Sequence, residues 1–453
     1  MKFNLIYCFI AINISFSFAQ ENDSVLIRKI YSHHLTNSNS YENLRELCKG
    51  VGNRLSGSEN AEKAVKWAFE KLKSEKSADT VYLQEVTVPV WKRHKEEAFI
   101  TKNKQKLAIY ALGGSVATPE NGISANIIEV KTYEELAQIP ENEIKGKIVF
   151  INHQINKTNI NTFDSYRENG KYRWRGASEA GAKGAAAVII KSLTLKEDDE
   201  PHTGSMSYKD SLVKIPAAAI SWKSAEILSK ALKEDKNIQV QLLLKCETLK
   251  DVLSYNVIAE IKGSLYPNEI IVAGGHLDSW DKGEGAHDDG TGVVQSFEIL
   301  RTFKLLNIKP ERTIRVVAFM NEENGLRGGK KLAEVSKIKK EKIIAGIESD
   351  AGGYSPRGFF MEGSEEQVKK VKAYSHLFKP YNLHSFDRVG SGSDVEPLKD
   401  FGALLMELEV DSQRYFDLHH TSNDVFEEVN KRELELGSAS ITAMVYLISK
   451  YGF

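Results

Sequence analysis

Hydrophobic positions recur along this chain with two periods, one typical of helices and one typical of strands. Apolar residues within 61–72 recur at helical spacing, whereas those within 79–89 alternate with polar residues as in a strand. From residue 252 onward, strand-like segments lie at 256–261, 269–274, 313–319 and 343–348, and helix-like segments lie at 293–303, 326–335 and 365–377. This alternation predicts an α/β fold with a mixed, mainly parallel central sheet flanked by helices.

A second, smaller module is predicted between residues 119 and 245. Near Gly122 the pattern changes, and strand-like and helix-like segments then alternate on a smaller scale. Strands are expected within 145–151, 185–190 and 215–221, and a helix is expected to open at Arg175. His202 lies in a predicted loop and is expected at the surface. The chain therefore divides into residues 20–118, 119–245 and 246–453.

The first twenty residues differ from the rest of the chain. An apolar run over residues 5–14 is followed by small residues at Ser17 and Ala19. This order is typical of a signal peptide cleaved after Ala19 rather than of a membrane anchor, because the run is short for a bilayer span. We therefore expect residues 1–19 to be removed and the mature chain to be exported, either secreted or periplasmic, without a membrane span.

Charge and cysteine content limit the possible partners. Acidic and basic residues number 62 and 61, so the chain lacks the basic excess of proteins that bind nucleic acid or membrane surfaces. Cys48 and Cys246 remain after residue 19. They can pair in an oxidising compartment or stay buried singly, and the sequence does not decide between these outcomes.

Candidate chemistry lies where the predicted strands end. Histidines and carboxylates follow these strands or open the next helix, namely His276, Asp278, Asp288, Asp289, Glu322, Glu323, Asp350, His419 and His420. Each has an ordinary explanation on its own, such as a helix cap or a solvated surface. Because the carboxyl ends of parallel strands meet at one edge of a sheet, we expect the set to converge into one site.

The residue types in this set indicate a catalytic metal site. Carboxylates and neutral imidazoles are the ligands of catalytic Zn²⁺, and one aspartate can bridge two metal ions roughly 3.5–4 Å apart. Of two adjacent glutamates, one can ligate while the other takes a proton from water. By chemistry alone, either His419 or His420 can be a ligand. The sequence has no P-loop, HExxH or GxSxG motif.

Five motifs together resemble those of the M28 family of co-catalytic zinc exopeptidases, in particular its carboxypeptidase Q (plasma glutamate carboxypeptidase) group. They are GGHLDSWDKGEGAHDDGTG at 274–292, FMNEE at 319–323, ESDAGG at 348–353, GSGSD at 390–394 and HHTSND at 419–424. Residues 47–58 are similar to the family's N-terminal segment, and residues 119–245 resemble an inserted protease-associated domain. The motifs are specific in combination, and the likeness covers most of the mature chain.

The resemblance implies a role for each candidate ligand. Asp288 would bridge two zinc ions. His276 and Asp350 would complete one zinc site, and Glu323 and His420 would complete the other. Of the two histidines that chemistry left open, the family pattern therefore favours the second.

Other positions take catalytic or supporting roles by the same resemblance. Glu322 would be the general base, Asp278 would orient His276, and His419 would stabilise the tetrahedral intermediate. A cis peptide bond would follow Asp288. The substrate pocket would be shaped by Ser391, Gly392 and Asp394, with a plain turn as the alternative. His287 has no role in the pattern and is expected in the pocket or at the surface.

The implied function is that of an exported metallo-exopeptidase with two Zn²⁺ per chain. It would hydrolyse dipeptides or remove terminal residues from short peptides, with an aminopeptidase as the alternative. A non-catalytic receptor-like relative would lack ligands, yet all five are present here. A glutaminyl cyclase would lack the inserted module. A homodimer is plausible by the same resemblance.

Overall fold

The computed structural model describes residues 23–453, which form a mixed β-sheet of thirteen strands flanked by helices. The strands are β1 (Thr80–Ile100), β2 (Gln105–Leu107), β3 (Ile109–Ala111), β4 (Ile123–Val130), β5 (Ile148–Ile151), β6 (Ala187–Lys191), β7 (Ala217–Ile220), β8 (Gln239–Ile261), β9 (Tyr266–His276), β10 (Arg312–Phe319), β11 (Lys342–Glu348), β12 (Pro356–Glu362) and β13 (Leu404–Val410). The predicted α/β class is confirmed.

The α-helices alternate with these strands along the chain. They are α1 (residues 23–37), α2 (Ser40–Gly50), α3 (Glu59–Glu75), α4 (Tyr133–Gln138), α5 (Glu141–Ile144), α6 (Thr162–Gly181), α7 (Trp222–Glu234), α8 (Thr291–Leu305), α9 (Arg327–Lys339), α10 (Glu365–Ala373), α11 (Ser375–Phe378), α12 (Tyr415–Leu418) and α13 (Lys431–Tyr451). The helices and strands expected after residue 252 are therefore present.

The large region contains β12, β13, β11, β9, β10 and β8, in this order across the sheet. The middle four strands run parallel, and the strands at either side pair antiparallel to them. Helices α8 and α13 contribute Phe297 and Met444 to the apolar cluster on one face, and α9 contributes Leu332 to the cluster on the other. Because both faces are covered, the residues of β10 and β13 are almost all buried, and most of them are apolar.

The small region contains β4, β5, β6, β7 and β3, together with helices α4 to α7. Its first four strands are parallel, and β3 is antiparallel to β7. Successive residues of β5 alternate between two buried clusters, with Phe150 in one and Val149 in the other. The small region therefore has apolar packing on both faces of its own sheet.

Strands β1 and β8 join the two regions as one antiparallel ribbon. The ribbon runs from the pair Thr80–Glu260 to the pair Ile100–Val240, with register shifts at two places along β1. One end of β8 pairs with β10 of the large region, and its other end pairs with β4 of the small region. The ribbon is therefore shared by both sheets.

Two predicted element boundaries need correction, and one predicted domain boundary lies within a strand. Helix α6 begins at Thr162, well before Arg175, because Asn161 caps it by accepting the N–H of Phe163. The strand expected at 79–89 continues to residue 100 because β8 pairs with its whole length. The predicted division at residue 245 lies inside β8.

Three further expectations concern export and redox state. The predicted signal peptide, residues 1–19, lies outside the described residues. Between residues 23 and 453, the helices are either too short or too polar to cross a bilayer. Cys48 and Cys246 are buried separately and form no disulfide bond.

Candidate metal centre

The centre is built around the loop that joins β9 to α8. Strand β9 ends at His276, and a kinked, non-helical segment at Asp288 and Asp289 leads into α8; the peptide bond between these two aspartates is cis, as expected. The Asp289 carboxylate accepts the backbone N–H groups of His276 and Gly292 and so ties the strand end to the helix start. Glycine is required at Gly275 because a Cβ there would lie 2.3 Å from this carboxylate.

One half of the centre contains His276, Asp288 and Asp350, whose candidate ligand atoms lie within 4.8 Å of one another. His276 Nε2 is 3.2 Å from Asp288 Oδ1 and 3.3 Å from Asp350 Oδ1. On the other side of the ring, Nδ1 donates a hydrogen bond to the Asp278 carbonyl at 2.9 Å. This bond fixes the tautomer and leaves Nε2 for a metal ion.

The other half contains two histidines and Glu323. His420 Nε2 lies 3.2 Å from Asp288 Oδ2 and 3.2 Å from Glu323 Oε2. His419 Nε2 is 3.7 Å from the same Asp288 oxygen, and the two imidazole rings stack with centroids 3.5 Å apart. His420 is the better-placed ligand because its Nδ1 donates to the Thr203 carbonyl at 3.2 Å, which again leaves Nε2 free.

Asp288 lies between the two halves. Its Oδ1 faces His276 and its Oδ2 faces His420. The backbone around it is fixed by Asp424, whose two oxygens accept the N–H groups of His287 at 2.8 Å and Asp288 at 3.1 Å. A carboxylate whose two oxygens face different imidazoles has the arrangement of a bridging ligand.

The centre concentrates buried negative charge. Burial raises the pKa of Glu323 to about 7, and the neighbouring Asp288 adds to the increase. Burial also raises the pKa of Asp350. Although burial opposes it, hydrogen bonds from His276 and His420 hold the pKa of Asp288 well below its usual value. Glu323 Oε1 is buried without a partner among the described residues. This donor set fits bound cations, which would supply the missing positive charge.

Glu322 lies beside the centre and lines the adjoining cavity. Its backbone N–H donates to Asp278 Oδ1 at 3.0 Å, and the N–H of Asn321 donates to the same oxygen at 2.7 Å. Burial raises the pKa of Glu322 well above its usual value, and the Asp350 carboxylate adds to the increase. A raised pKa suits a carboxylate that must take up a proton and later release it.

Asp278 contacts His276 in a different way from the one expected. Its carboxylate oxygen is 3.9 Å from His276 Nδ1, and the backbone carbonyl makes the hydrogen bond instead. The carboxylate holds the backbone after β10, where Glu322 begins the acidic pair. Asp278 therefore connects the ends of two strands, one through each of its polar groups.

A cavity of about 630 Å³ opens onto the centre between the large and small regions. Ser391 and Gly392, two of the residues predicted to shape a substrate pocket, line it. Asp394 instead lies fully buried behind the wall, where its carboxylate accepts the N–H of Gly329 at 3.3 Å and its own N–H donates to Glu348. From the small region, α6 supplies Phe163, Tyr166, Arg167, Arg173 and Trp174.

Known proteins share both the sequence and the fold described above. The model of peptidase family M28 matches residues 256–445. Carboxypeptidase Q of Xenopus laevis is 37% identical over 418 residues, which are 92% of this chain and 87% of that protein. The chain belongs to peptidase family M28. It is therefore an enzyme that hydrolyses peptide bonds, as the sequence predicted.

Solved structures resemble this M28 peptidase over nearly its whole length. The peptidase M28 precursor from Shewanella amazonensis SB2B superposes with a TM-score of 0.90 at 35% identity and covers 96% of this chain and 98% of that one. BSAP, a zinc aminopeptidase from Bacillus subtilis, has a TM-score of 0.67 at 21% identity over 92% of this chain and 96% of its own. The second likeness concerns the fold alone.

Arg54 is a residue of this M28 peptidase that the sequence interpretation missed. It is fully buried, and its guanidinium donates to the carbonyls of Leu277, Glu284 and Gly285 at 2.7, 2.5 and 2.9 Å. The arginine therefore holds the loop between β9 and α8 from the N-terminal segment. Its one signal was its place in residues 47–58, the stretch similar to the family's N-terminal segment.

His202 is buried, which corrects the expectation of a surface histidine. Its Nδ1 donates a hydrogen bond to the carbonyl of His419 at 2.8 Å. The carbonyl of the next residue, Thr203, accepts a hydrogen bond from His420 Nδ1. The small region of the M28 peptidase thus holds two of the three histidines of the centre, His419 and His420. No sequence pattern indicated this contact, because it joins positions 217 residues apart.

His287 is also buried and lines neither the cavity nor the surface. Its ring stacks on Tyr354 with centroids 4.3 Å apart, and its Nδ1 accepts the N–H of Gly353 at 3.1 Å. Burial lowers the pKa of His287 to about 4, so the ring is neutral near pH 7. The residue therefore packs behind Asp288.

Proposed function

We propose that this M28 peptidase is a two-zinc exopeptidase that hydrolyses dipeptides or removes terminal residues from short peptides. The observation that carries the proposal is the position of Asp288, whose two oxygens face His276 and His420 at 3.2 Å each. Its similarity to carboxypeptidase Q of Xenopus laevis supports an exopeptidase. The fold shared with a zinc aminopeptidase agrees with zinc as the metal.

The residues divide into two ligand sets around one shared carboxylate. His276 and Asp350 would hold one zinc ion, Glu323 and His420 would hold the other, and Asp288 would bind both. Imidazole nitrogens and carboxylate oxygens are the usual ligands of catalytic zinc. When bound, zinc lowers the pKa of water and polarises a carbonyl group.

Two neighbouring residues then act on the peptide. Glu322 takes a proton from the attacking water and returns it to the leaving amine, a role that its raised pKa supports. Burial and the nearby His420 hold the pKa of His419 well below its usual value, so its imidazole is neutral. His419 lines the cavity and donates an N–H to the oxyanion of the tetrahedral intermediate.

Metal analysis and a peptide library test the proposal together. The purified chain is expected to hold about two zinc ions and to hydrolyse dipeptides and tripeptides with free ends. Chelation should abolish hydrolysis, and added zinc should restore it. A chain that binds no zinc would contradict the proposal, and internal cleavage of long blocked peptides would contradict the exopeptidase assignment. If blocking the N-terminus lowers the hydrolysis of every substrate by the same factor, the result would favour the aminopeptidase alternative.

Export, domain division and assembly are further parts of the proposal. The chain is cleaved after Ala19 and exported, either secreted or periplasmic; N-terminal sequencing of exported protein should begin at Gln20. Residues 119–245 form the inserted protease-associated domain, which the separate apolar clusters of the small region support. Limited proteolysis whose first cuts fall inside residues 119–245 would contradict this domain division.

The chain forms homodimers, which sedimentation should detect. A monomer at micromolar concentration would contradict this assembly.

A further inference from the structure

A basic side chain on the cavity wall has no counter-charge. The basic residues that line the cavity are Arg167, Arg173 and Lys330. Arg167 pairs with Asp164 at 2.6 Å, and the exposed Lys330 donates to the carbonyl of Gly325 at 3.2 Å. Among residues 23–453, Arg173 has no carboxylate within ion-pair distance, and its guanidinium contacts the side chains of Tyr166 and His420.

Arg173 is held in place close to the metal centre. Its Nη1 lies 3.4 Å from His420 Nδ1, and its guanidinium lies over the Tyr166 ring at 5.2 Å. On another side it lies against Gly204, where a Cβ would be 2.5 Å from Nη1. Its buried Nε has no hydrogen-bond partner within the described part of the chain. A fixed guanidinium with unused donors is suited to binding a carboxylate.

Glu407 is an acidic residue of the cavity wall that also lacks a partner. It lies on β13, in register with Glu348 of β11, and lines the cavity outside the metal centre. Burial raises the pKa of Glu407 to about 8, the Asp350 carboxylate adds to the increase, and Arg167 offsets it only in part. No ion pair or hydrogen bond to its carboxylate is found within residues 23–453. A bound ammonium group would supply the missing charge.

These two side chains lie near different halves of the centre: Arg173 lies beside His420, and Glu407 pairs in register with Glu348, two residues before Asp350. We propose that Glu407 binds the α-ammonium group of a free dipeptide and that Arg173 binds its α-carboxylate, with the peptide bond at the metal centre between them. The inference rests on the proposed function and specifies its substrate class. An enzyme that binds both ends is a dipeptidase, whereas an aminopeptidase or a carboxypeptidase needs one free end.

Three matched substrates separate the two contacts: Ala-Phe, N-acetyl-Ala-Phe and Ala-Phe amide. The zinc-loaded wild-type chain should prefer the free dipeptide, in kcat/KM, by about 10- to 100-fold over each blocked form, as expected for one lost charge-assisted hydrogen bond. Glu407→Gln should lower kcat/KM for Ala-Phe by a similar factor and leave the acetylated substrate unchanged. Arg173→Gln should also lower kcat/KM for Ala-Phe by this factor, but should leave kcat/KM for Ala-Phe amide unchanged.

Each variant has a matched control on the same element. Glu409→Gln changes a carboxylate two residues along β13 that faces Arg388 at 3.5 Å, and Arg175→Gln changes an exposed arginine two residues along α6. Both controls should keep the wild-type preference for free ends. Zinc content and melting temperature, measured for all four variants, identify any loss that comes from misfolding, and Arg173→Lys should recover part of the preference for a free carboxylate.

The outcomes separate the inference from the proposed function. Equal hydrolysis of free and blocked dipeptides by the wild type would overturn the inference and leave the exopeptidase assignment standing. Equal loss on all three substrates in a well-folded, zinc-loaded Glu407→Gln or Arg173→Gln variant would overturn it as well. Failure of the wild type to hydrolyse any peptide in the presence of zinc would overturn both.

Discussion

The large and small regions contribute to the cavity in different ways. All five candidate ligands and Glu322 come from the large region, after the carboxyl ends of its parallel strands. The small region contributes α6 and the loop at His202, which contact the centre from the other side. The candidate ligands and Glu322 therefore all belong to the large region. The small region supplies part of the cavity wall and some of the hydrogen-bond partners that orient the histidines.

This difference shows that a second region of the same sheet can complete a candidate metal centre without providing a candidate ligand. Thr203 fixes the tautomer of His420, and His202 holds the carbonyl of His419. Hydrogen-bond partners of metal-bound imidazoles are important for metal affinity and activity. Variants in each region should therefore have distinguishable effects, and four predictions test this.

The largest effect on activity is expected from substitutions of two adjacent glutamates in the large region, Glu322 and Glu323. Glu322→Gln should lower kcat by about 10²- to 10⁴-fold and leave zinc content unchanged, because it removes the proton acceptor and no ligand. Glu323→Gln, its matched partner, should reduce zinc content. Metal analysis and dipeptide hydrolysis check both variants. Full turnover by Glu322→Gln, or full zinc content in Glu323→Gln, would show that the roles are wrongly assigned.

A smaller effect is expected where Asp424 holds the backbone of Asp288. Both oxygens of Asp424 accept backbone N–H groups, so Asp424→Asn places an amide donor against one of them. Zinc affinity should fall by about 10- to 100-fold, measured by competition with a chelator. Asp411→Asn is the control, because this carboxylate also accepts a backbone N–H, from Gln413, but lies outside the centre. Equal affinities for both variants would contradict the prediction.

A third effect, about tenfold, is expected from the small region. His202→Phe removes the donor to the carbonyl of His419 and should lower kcat/KM by about tenfold, since an unsatisfied buried carbonyl costs about 1–3 kcal/mol. His153 is a second buried histidine of the small region, bonded to the carbonyl of Lys191 at 2.7 Å. His153→Phe should lower the melting temperature without changing kcat/KM. If both variants lose activity equally, the small region acts through stability alone.

The smallest effect concerns stability in the small region. Lys191 is 6% exposed and lies over the Trp222 ring at 3.7 Å, and burial lowers its pKa to about 8. The unfolded lysine titrates near 10.4, so between about pH 8 and 10.4 the unfolded state binds more protons and stability rises with pH.

Lys191→Met should therefore raise the melting temperature by a few degrees near pH 7. This advantage should shrink as the pH rises from 8 to 10.5. Thermal melts at several pH values check it, with exposed Lys236→Met as the control. A difference that stays constant with pH would show that the charge of Lys191 is not the cause.

The sequence predicted the large region better than the small one. Its strands are buried on both faces, so their apolar runs stand out, and their ends place His276, Glu322 and Asp350 by simple topology. The bridging role proposed for Asp288 and the preference for His420 over His419 came from the family resemblance. They could not have come from periodicity, because both depend on loop conformation.

The rest of the site depends on contacts between distant segments. Arg54, His202 and Arg173 reach the centre from parts of the chain with their own regular patterns, and nothing in those patterns distinguishes them from structural residues. Asp394 illustrates the opposite error, because it belongs to a family motif and yet lies behind the cavity wall. A motif identifies a segment, but the fold decides which of its side chains face the substrate.

The β1–β8 ribbon determines how the cavity can change its width. Strands of 21 and 23 residues run from one region to the other and pair along their length except at two register shifts. A single unpaired linker would let the two regions rotate freely, whereas two hydrogen-bonded strands resist bending. The most compliant points of the ribbon are the register shifts at Val88–Val90 and Arg93–Glu96, where the ladder is interrupted. The paired strands therefore limit how far the large and small regions can separate on either side of the cavity.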